Sequence, residues 1–300
     1  MISIIIATKN RPVKLKKLLA SIKSSTSIET IIINQGDNSE IKNIIKHFPR
    51  LNIIYRHLPK GGKSKALNKA FSLASGDIYV FTDDDCITDK NWLKNIESFY
   101  NKSPNVDGVF GKTLPYEPSK HRGLLCHTVF TKKNKFITNN PNITFYKDLG
   151  IGNNMSFRAN VVKKVKFFQE WLGVGSISKA GGIEGEFIYR VLKNNFTLAY
   201  EPSIVVYHDK WLTWEEEETL QSKYFIGTTA FYFYHLIKSK DTKLIKNIFE
   251  LRFHFTEKIR SVCNKIVHLK FPYQELFFIF IDVKSFFKGM LLGINKAKNK

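Results

Sequence analysis

Four short apolar runs alternate with helical periodicities over the first hundred residues, and that alternation confines the chain to a layered α/β architecture. Ile2–Ala7 is a continuous apolar, β-branched run, as expected of a strand buried on both faces. Pro12 suits a first helical turn, and Leu15, Leu18, Leu19 and Ile22 fall on one face of a helix over 13–22. Glu29–Ile33 and Asn52–Tyr55 read as the next strands, separated by turn chemistry at 36–39 and a helix over 41–48. After Gly61-Gly62 a helix spans 64–74, and Gly76-Asp77 turns the chain. Ile78–Thr82 is a fourth strand that runs into Asp83-Asp84-Asp85, with a helix over 92–100 beyond it. This β-α-β-α-β-α-β order predicts a parallel sheet with helices on both faces. Ligands of such sheets sit beyond the carboxyl ends of the strands, where residues 8–11, 34–37 and 83–85 meet.

The middle, about 109–209, is less regular. It carries a segment from Gly150 to Arg158, a Gly-rich stretch over 173–182, a helix from Glu184 to about Lys193, and a strand over 204–208. Glu215–Glu218 then opens a long helical pattern, acidic residues being favoured at a positive helix terminus. The expected division is 1–213 as one α/β domain (1–108 and 109–213 as its halves) and 214–300 as a basic helical tail with a frayed end at 296–300.

Composition excludes some classes. At 300 residues, 43% hydrophobic and 24% charged, the chain is neither disordered nor fibrous. Three scattered cysteines and no CxxC pair argue against a disulfide framework or a zinc site, and favour a reducing, cytoplasmic compartment. The start lacks the basic and small-residue marks of a signal peptide, and no stretch reaches about 18 uncharged apolar residues. The formal net charge is +21, which attracts polyanions such as nucleic acid, anionic lipid or phosphorylated substrates. Residues 219–300 carry 15 basic and 5 acidic side chains, so the tail holds nearly half of the excess.

Asp83-Asp84-Asp85 is the sharpest local signal. Adjacent carboxylates repel one another and need a cation or cationic partners. Alternate side chains of a strand share a face, so Asp83 and Asp85 are expected to converge. Oxygen ligands at a strand end suit Mg²⁺ or Mn²⁺.

With these pieces in order, the chain resembles a family 2 glycosyltransferase of the inverting GT-A type over roughly residues 2–210. The matching segments are Ile2–Pro12, Gly62–Asn68, Ala74–Asp85 with its DxD motif, Gly152–Arg158, Gly182–Arg190 and Val206–His208. The resemblance implies a Rossmann-like, mostly parallel sheet and transfer of a sugar from a nucleoside diphosphate donor, UDP ahead of GDP, to a saccharide or lipid-linked saccharide in surface polysaccharide or glycan synthesis. It implies Mn²⁺ or Mg²⁺ at Asp83, Asp85 and His208, with Asp85 the direct ligand and Asp83 nearer the ribose. Glu184 takes the place of the general base, where the family usually has Asp. Thr8, Asn10, Arg11, Asn34, Asp37, Lys63, Lys65, Asp83 and Asp84 would form the nucleotide-sugar site. The family's Asp after the second strand is replaced by Asn34, with Asp37 as a shifted alternative. Glu186, Trp171 and Arg190 would shape the acceptor side, with Glu186 supporting Arg190.

Two other readings share parts of this pattern. A sugar-1-phosphate nucleotidyltransferase uses a similar sheet and carboxylates, but residues 7–12 lack the glycines of a triphosphate loop. A noncatalytic polyanion-binding module explains the charge but not the aspartates; nucleic acid is not an expected partner. Residues 271–294 mix Phe, Leu and Ile with Lys284 and Lys288, the pattern either of a packed helix or of one lying on an anionic bilayer at the inner face of the cell membrane.

Overall fold

The computed structural model describes every residue except 24–26, 38, 142–147, 177, 252, 269, 270, 272 and 300. Position 38 of the expected turn and position 300 of the expected frayed end lie outside the described residues.

The first half follows the expected alternation. Strands β1 (Ile2–Thr8), β2 (Ile28–Asn34), β3 (Ile53–His57) and β4 (Ile78–Phe81) are mutually parallel in the order β3-β2-β1-β4. Helices α1 (Pro12–Ser21), α2 (Ser39–Ile45) and α3 (Lys63–Phe71) connect them. Alternate β1 side chains feed opposite cores. Ile4 and Ile6 pack with Leu15, Leu18 and Leu19 of α1, whereas Ile5 joins Ala66, Leu67 and Ala70 of α3. A strand buried on both faces has no polar side, which is why its sequence is apolar throughout.

Beyond β4, where the sequence pattern is less regular, antiparallel strands join the sheet. A short strand β5 (Cys86–Thr88) and α4 (Trp92–Lys102) precede β6 (Gly108–Pro115). The small strands β7 (Leu125–Cys126) and β8 (Phe136–Thr138) follow, and then β9 (Met155–Arg158). β9 inserts antiparallel between β4 and β6. Beyond β9 the chain continues through α5 (Ala159–Val165) and α6 (Ile183–Lys193) into β10 (Leu198–His208). β10 runs parallel to β6 and antiparallel to β5 and β8. Segment 155–158 therefore acts as a central strand. It had no alternation to betray it, because Met155, Ser156 and Phe157 are all buried.

β11 (Trp211–Leu212) pairs with β7, and the remaining described elements are helices: α7 (Trp214–Lys238), α8 (Leu244–Glu250), α9 (Phe253–Val267) and α10 (Tyr273–Lys298). Thr213 and Glu216 close a reciprocal capping box at the start of α7. α10 lies along α7 through Asp282, Ser285, Gly289 and Gly293, all buried. A Cβ at Gly289 would stand 2.6 Å from the Ile226 carbonyl, and one at Gly293 would stand 2.2 Å from that of Ala230. Asp282 sits in this seam, accepting from Ser222 at 3.0 Å and from Lys258 of α9 at 2.6 Å. The seam is thus built on backbone proximity. Gly293→Ala should lower unfolding stability by about 1–3 kcal/mol through overpacking, although alanine is the better helix former; denaturant unfolding of the two proteins measures this.

Candidate active site

The carboxyl ends of β1, β4 and β10 converge with the starts of α3 and α6 and the first turns of α7 around a cavity of about 1090 Å³. The three aspartates do not continue β4. They form the turn between β4 and β5, which lets all three line the same cavity instead of alternating between faces.

Each carboxylate has its own cationic or hydroxyl partner. Asp84 is buried, accepting from Thr8 Oγ1 at 2.7 Å and from Arg11 Nη1 at 3.0 Å. Burial, and then the neighbouring Asp85 charge, push its pKa up to about 6. Asp85, also buried, accepts from the same Arg11 Nη1 at 2.8 Å and lies 3.2 Å from His208 Nε2. Burial alone would raise the Asp85 pKa, but the His208 bond and charge, with Arg11, hold it below the ordinary value. Asp83 is more open and pairs with Lys63 Nζ at 2.7 Å. Burial works against the Lys63 charge, yet Asp83 and Glu184 raise its pKa well above the ordinary lysine value.

The donor set fits a divalent cation. Asp85 Oδ1 and His208 Nε2 converge, and the His208 ring is oriented by Nδ1–H donation to the His127 carbonyl. That bond leaves Nε2, which faces Asp85, as the nitrogen that would meet a metal. Carboxylate with imidazole suits Mn²⁺ somewhat better than Mg²⁺, which favours oxygen. Cys86 lies opposite His208 in the β5–β10 ladder and belongs to the same cluster. Burial and the charges of Asp85 and Asp83 push its pKa well up, so it remains a thiol and a poor ligand. Asp83 faces Lys63, so the expected trio of Asp83, Asp85 and His208 appears as an Asp85–His208 pair with Asp83 beside it.

Glu184 stands at the N-terminal turn of α6 on the cavity wall, 3.4 Å from Lys63 Nζ. Gly152 makes room for it: a Cβ there would fall 2.4 Å from Glu184 Cγ and 2.6 Å from Oε1. Lys63 therefore joins the aspartate turn to Glu184 across the cavity.

Thr8, Arg11, Lys63, Asp83, Asp84, Asp85, Glu184 and His208 all line the cavity. Seven other expected residues are placed elsewhere. Asn34 is buried and spends its amide within its own loop, bonding Gly36 N at 2.9 Å, the Asp37 carbonyl at 2.7 Å and Tyr55 Oη at 3.0 Å. Asn10 caps the same loop by accepting from Asp37 N at 3.0 Å, and Asp37 in turn accepts from Ser39. Lys65 is exposed two positions past the cavity-facing Lys63. Glu186 is fully buried in a pairing with Arg190 (2.7 and 2.8 Å) and His235 (2.9 Å), and Arg190 also donates to the carbonyls of Val165 and Phe167. Helical spacing explains this: two residues past Glu184 is the opposite side of α6. Trp171 packs against Tyr234.

Other cavity residues gave little sequence signal. Lys210 lines the wall beside His208, its pKa lowered by burial. Gln35, not Asn34, faces the cavity, donating to the Gly62 carbonyl at 3.2 Å. Asn153 accepts from Thr113 at 2.9 Å, while its buried Nδ2 has no partner among the described residues. From α7 come Glu217 and Tyr224. Glu217 holds the His127 ring at 2.8 Å, and the backbone of His127 orients His208. Only the acidic start of α7 was visible in sequence, and it read as helix capping.

The profile of glycosyl transferase family 2 matches residues 3–165, more than half of the chain. The chain belongs to glycosyl transferase family 2. It is a glycosyltransferase, and the nucleotidyltransferase and noncatalytic readings fall away. No curated protein matches it in sequence. Among solved structures it is similar to the mannosyltransferase PcManGT from Pyrobaculum calidifontis, in complex with GDP-Man and Mn²⁺. That pair has 13% identity and a TM-score of 0.61, covering 95% of this chain and 86% of the other. It is also similar to S. aureus TarS 1–349 in complex with UDP-GlcNAc, at 13% identity and a TM-score of 0.55, covering 100% and 93%. These similarities establish the GT-A fold.

The Asp85–His208 contact sets a measurable titration. Burial disfavours the His208 imidazolium, but Asp85 outweighs it and raises the pKa to about 9. A raised pKa means that the pair stabilises the cation-free fold fully below the ordinary value near 6.5, and that this contribution is lost as pH rises through about 9. In Asp85→Asn, NMR titration should find the His208 pKa clearly lowered, because burial persists without the carboxylate.

Proposed function

We propose that this glycosyltransferase moves a sugar from a nucleoside diphosphate sugar to a hydroxyl of a saccharide or lipid-linked saccharide, inverting the anomeric centre and using Mn²⁺ or Mg²⁺. The observation that carries this is the bridge at Lys63, 2.7 Å from Asp83 and 3.4 Å from Glu184. Lys63 thus ties the aspartate turn to an opposed carboxylate on the wall of the same cavity.

On this reading residues 1–108 hold the nucleotide, 109–213 add Glu184 and His208, and α7 of the tail closes the acceptor side. Asp85 and His208 would hold a divalent cation, which would supply Lewis-acid neutralisation of the departing diphosphate. Arg11, Lys63 and Lys210 present positive charge to the same oxygens, and Asp83 is placed towards the ribose. Glu184 takes the proton of the acceptor hydroxyl as its oxygen attacks the anomeric carbon and the carbon–phosphate-oxygen bond breaks. Attack from the Glu184 side, opposite the diphosphate, gives inversion. UDP is the first donor to test. The similar structures carry GDP-Man and UDP-GlcNAc, so a panel of UDP-, GDP- and dTDP-sugars scored for slow donor hydrolysis identifies the base.

Asp85→Ala should abolish Mn²⁺-dependent nucleotide binding in calorimetry. Glu184→Gln should leave that binding intact and lower kcat by about 10²–10⁴-fold; near-full turnover in Glu184→Gln overturns the base assignment.

Gly152→Ala tests the same carboxylate without touching its chemistry. The added methyl displaces Glu184, so kcat should fall by about 10²-fold, with nucleotide affinity preserved.

A further inference from the structure

We infer that the outer face of α10 is a docking surface for an anionic lipid bilayer, on which the protein lies with this helix in the plane of the headgroups. The surface stands apart from the catalytic reading and holds whichever residue is the base.

The observation begins with where exposed apolar side chains fall. Of 23 large apolar residues exposed among the described residues, 13 lie from Ile245 onward, in less than a fifth of the chain. Scattered single residues are normal, but a contiguous row is not. On α10 the row is Leu276, Phe280, Val283, Phe287 and Leu291. Their spacing of four, three, four and four places them on one side of a helix. Phe280 is 66% exposed, Phe287 53% and Leu291 55%. The row runs about 22 Å at 1.5 Å per residue. The opposite side of α10 is already used, buried on α7 through Asp282, Ser285, Gly289 and Gly293. The outer row is therefore surplus to folding.

Charge selects the occupant. Both acidic residues of α10 are turned inward and paired, Glu275 with Lys265 and Asp282 with Lys258. The charged side chains exposed along the described part of 271–299 are all lysines: Lys284, Lys288, Lys296 and Lys298. Lys284 and Lys288 flank the apolar row on the helical wheel. A second copy of this chain would set lysines against lysines with no carboxylate on the face to receive them. A headgroup layer of phosphate esters supplies anions at the rim while its acyl boundary takes the phenylalanines. Among the described residues no helix is long and apolar enough to cross a membrane, which fits α10 lying on the surface.

The test uses the full chain with vesicles of phosphatidylcholine alone and of phosphatidylcholine mixed with phosphatidylglycerol. Co-sedimentation should occur with the mixed vesicles only and weaken as salt is raised. Phe280→Ser with Phe287→Ser should weaken partitioning at least about tenfold. Lys284→Glu with Lys288→Glu should do the same through charge alone. Both pairs lie outside the cavity lining, so donor hydrolysis without vesicles should stay at the wild-type rate in both. If the phenylalanine pair impairs folding, seen as a lowered unfolding midpoint, the lysine pair decides by itself. Equal binding to neutral vesicles, or lysine-pair binding at the wild-type level, overturns the proposal. So does a dimer in light scattering that the phenylalanine pair abolishes while the wild type stays off the vesicles.

Discussion

The mutual repulsion of three consecutive carboxylates is the constraint around which the structure is arranged. Asp84 and Asp85 are buried, where like charges interact more strongly than in water. One guanidinium nitrogen of Arg11 serves both, at 3.0 and 2.8 Å, so the turn after β1 must lie over the turn after β4. β1 and β4 are paired in parallel, which delivers that placement. His208 must then arrive from the far end of the sheet. It does so because β5, leaving the aspartate turn directly, pairs antiparallel with β10 and sets Cys86 opposite His208. Lys63 completes the set from the start of α3. Three segments distant in sequence are held together by the need to neutralise one turn.

The early fold was legible because each element declared itself through a period and a punctuation. The doubly buried strand Ile2–Thr8, the Pro12 helix start and the Gly61-Gly62 loop are local signals that tertiary contacts do not override. β9 was not legible. A central strand of four residues has no room for alternation, and its antiparallel insertion between β4 and β6 depends on partners far away in sequence. The connection rules that predict parallel pairing apply to β-α-β units, and 115–155 is not one.

The site was legible where chemistry needs a rare residue pattern and illegible where it needs only position. The Asp triplet stands out in any sequence. Glu184 could be placed on the cavity only through a family pattern, since acidic residues at a helix start are common for electrostatic reasons alone. Asn34 shows the opposite failure. It has the right chemistry at the end of β2, but its amide is consumed by Gly36, Asp37 and Tyr55, and the neighbouring Gln35 takes the cavity-facing position. Glu186 and Arg190 likewise carry the right charges. Their mutual bonds and those to His235 fasten α6 to α7, and so fix the helix whose first turn carries Glu184.

The excess positive charge had one explanation too many in the sequence, and the structure separates its uses. Around the cavity, Arg11 and Lys63 are paired with carboxylates at 2.7–3.0 Å, so much of their charge is already committed to holding the aspartate turn. The lysines along the outer side of α10 are instead exposed, with its two acids drawn inward. Charge of the first kind is short-ranged and geometric; that of the second acts over a Debye length of about 8–10 Å and is screened by salt. α7 belongs to both regions, lining the cavity with Glu217 and Tyr224 and carrying α10 on its other side. A helix locked to its neighbour by glycines at backbone contact distance has little freedom to slide. Whatever lies against α10 is therefore held at a fixed distance and orientation from the wall of the cavity, a geometry suited to an acceptor that is itself anchored.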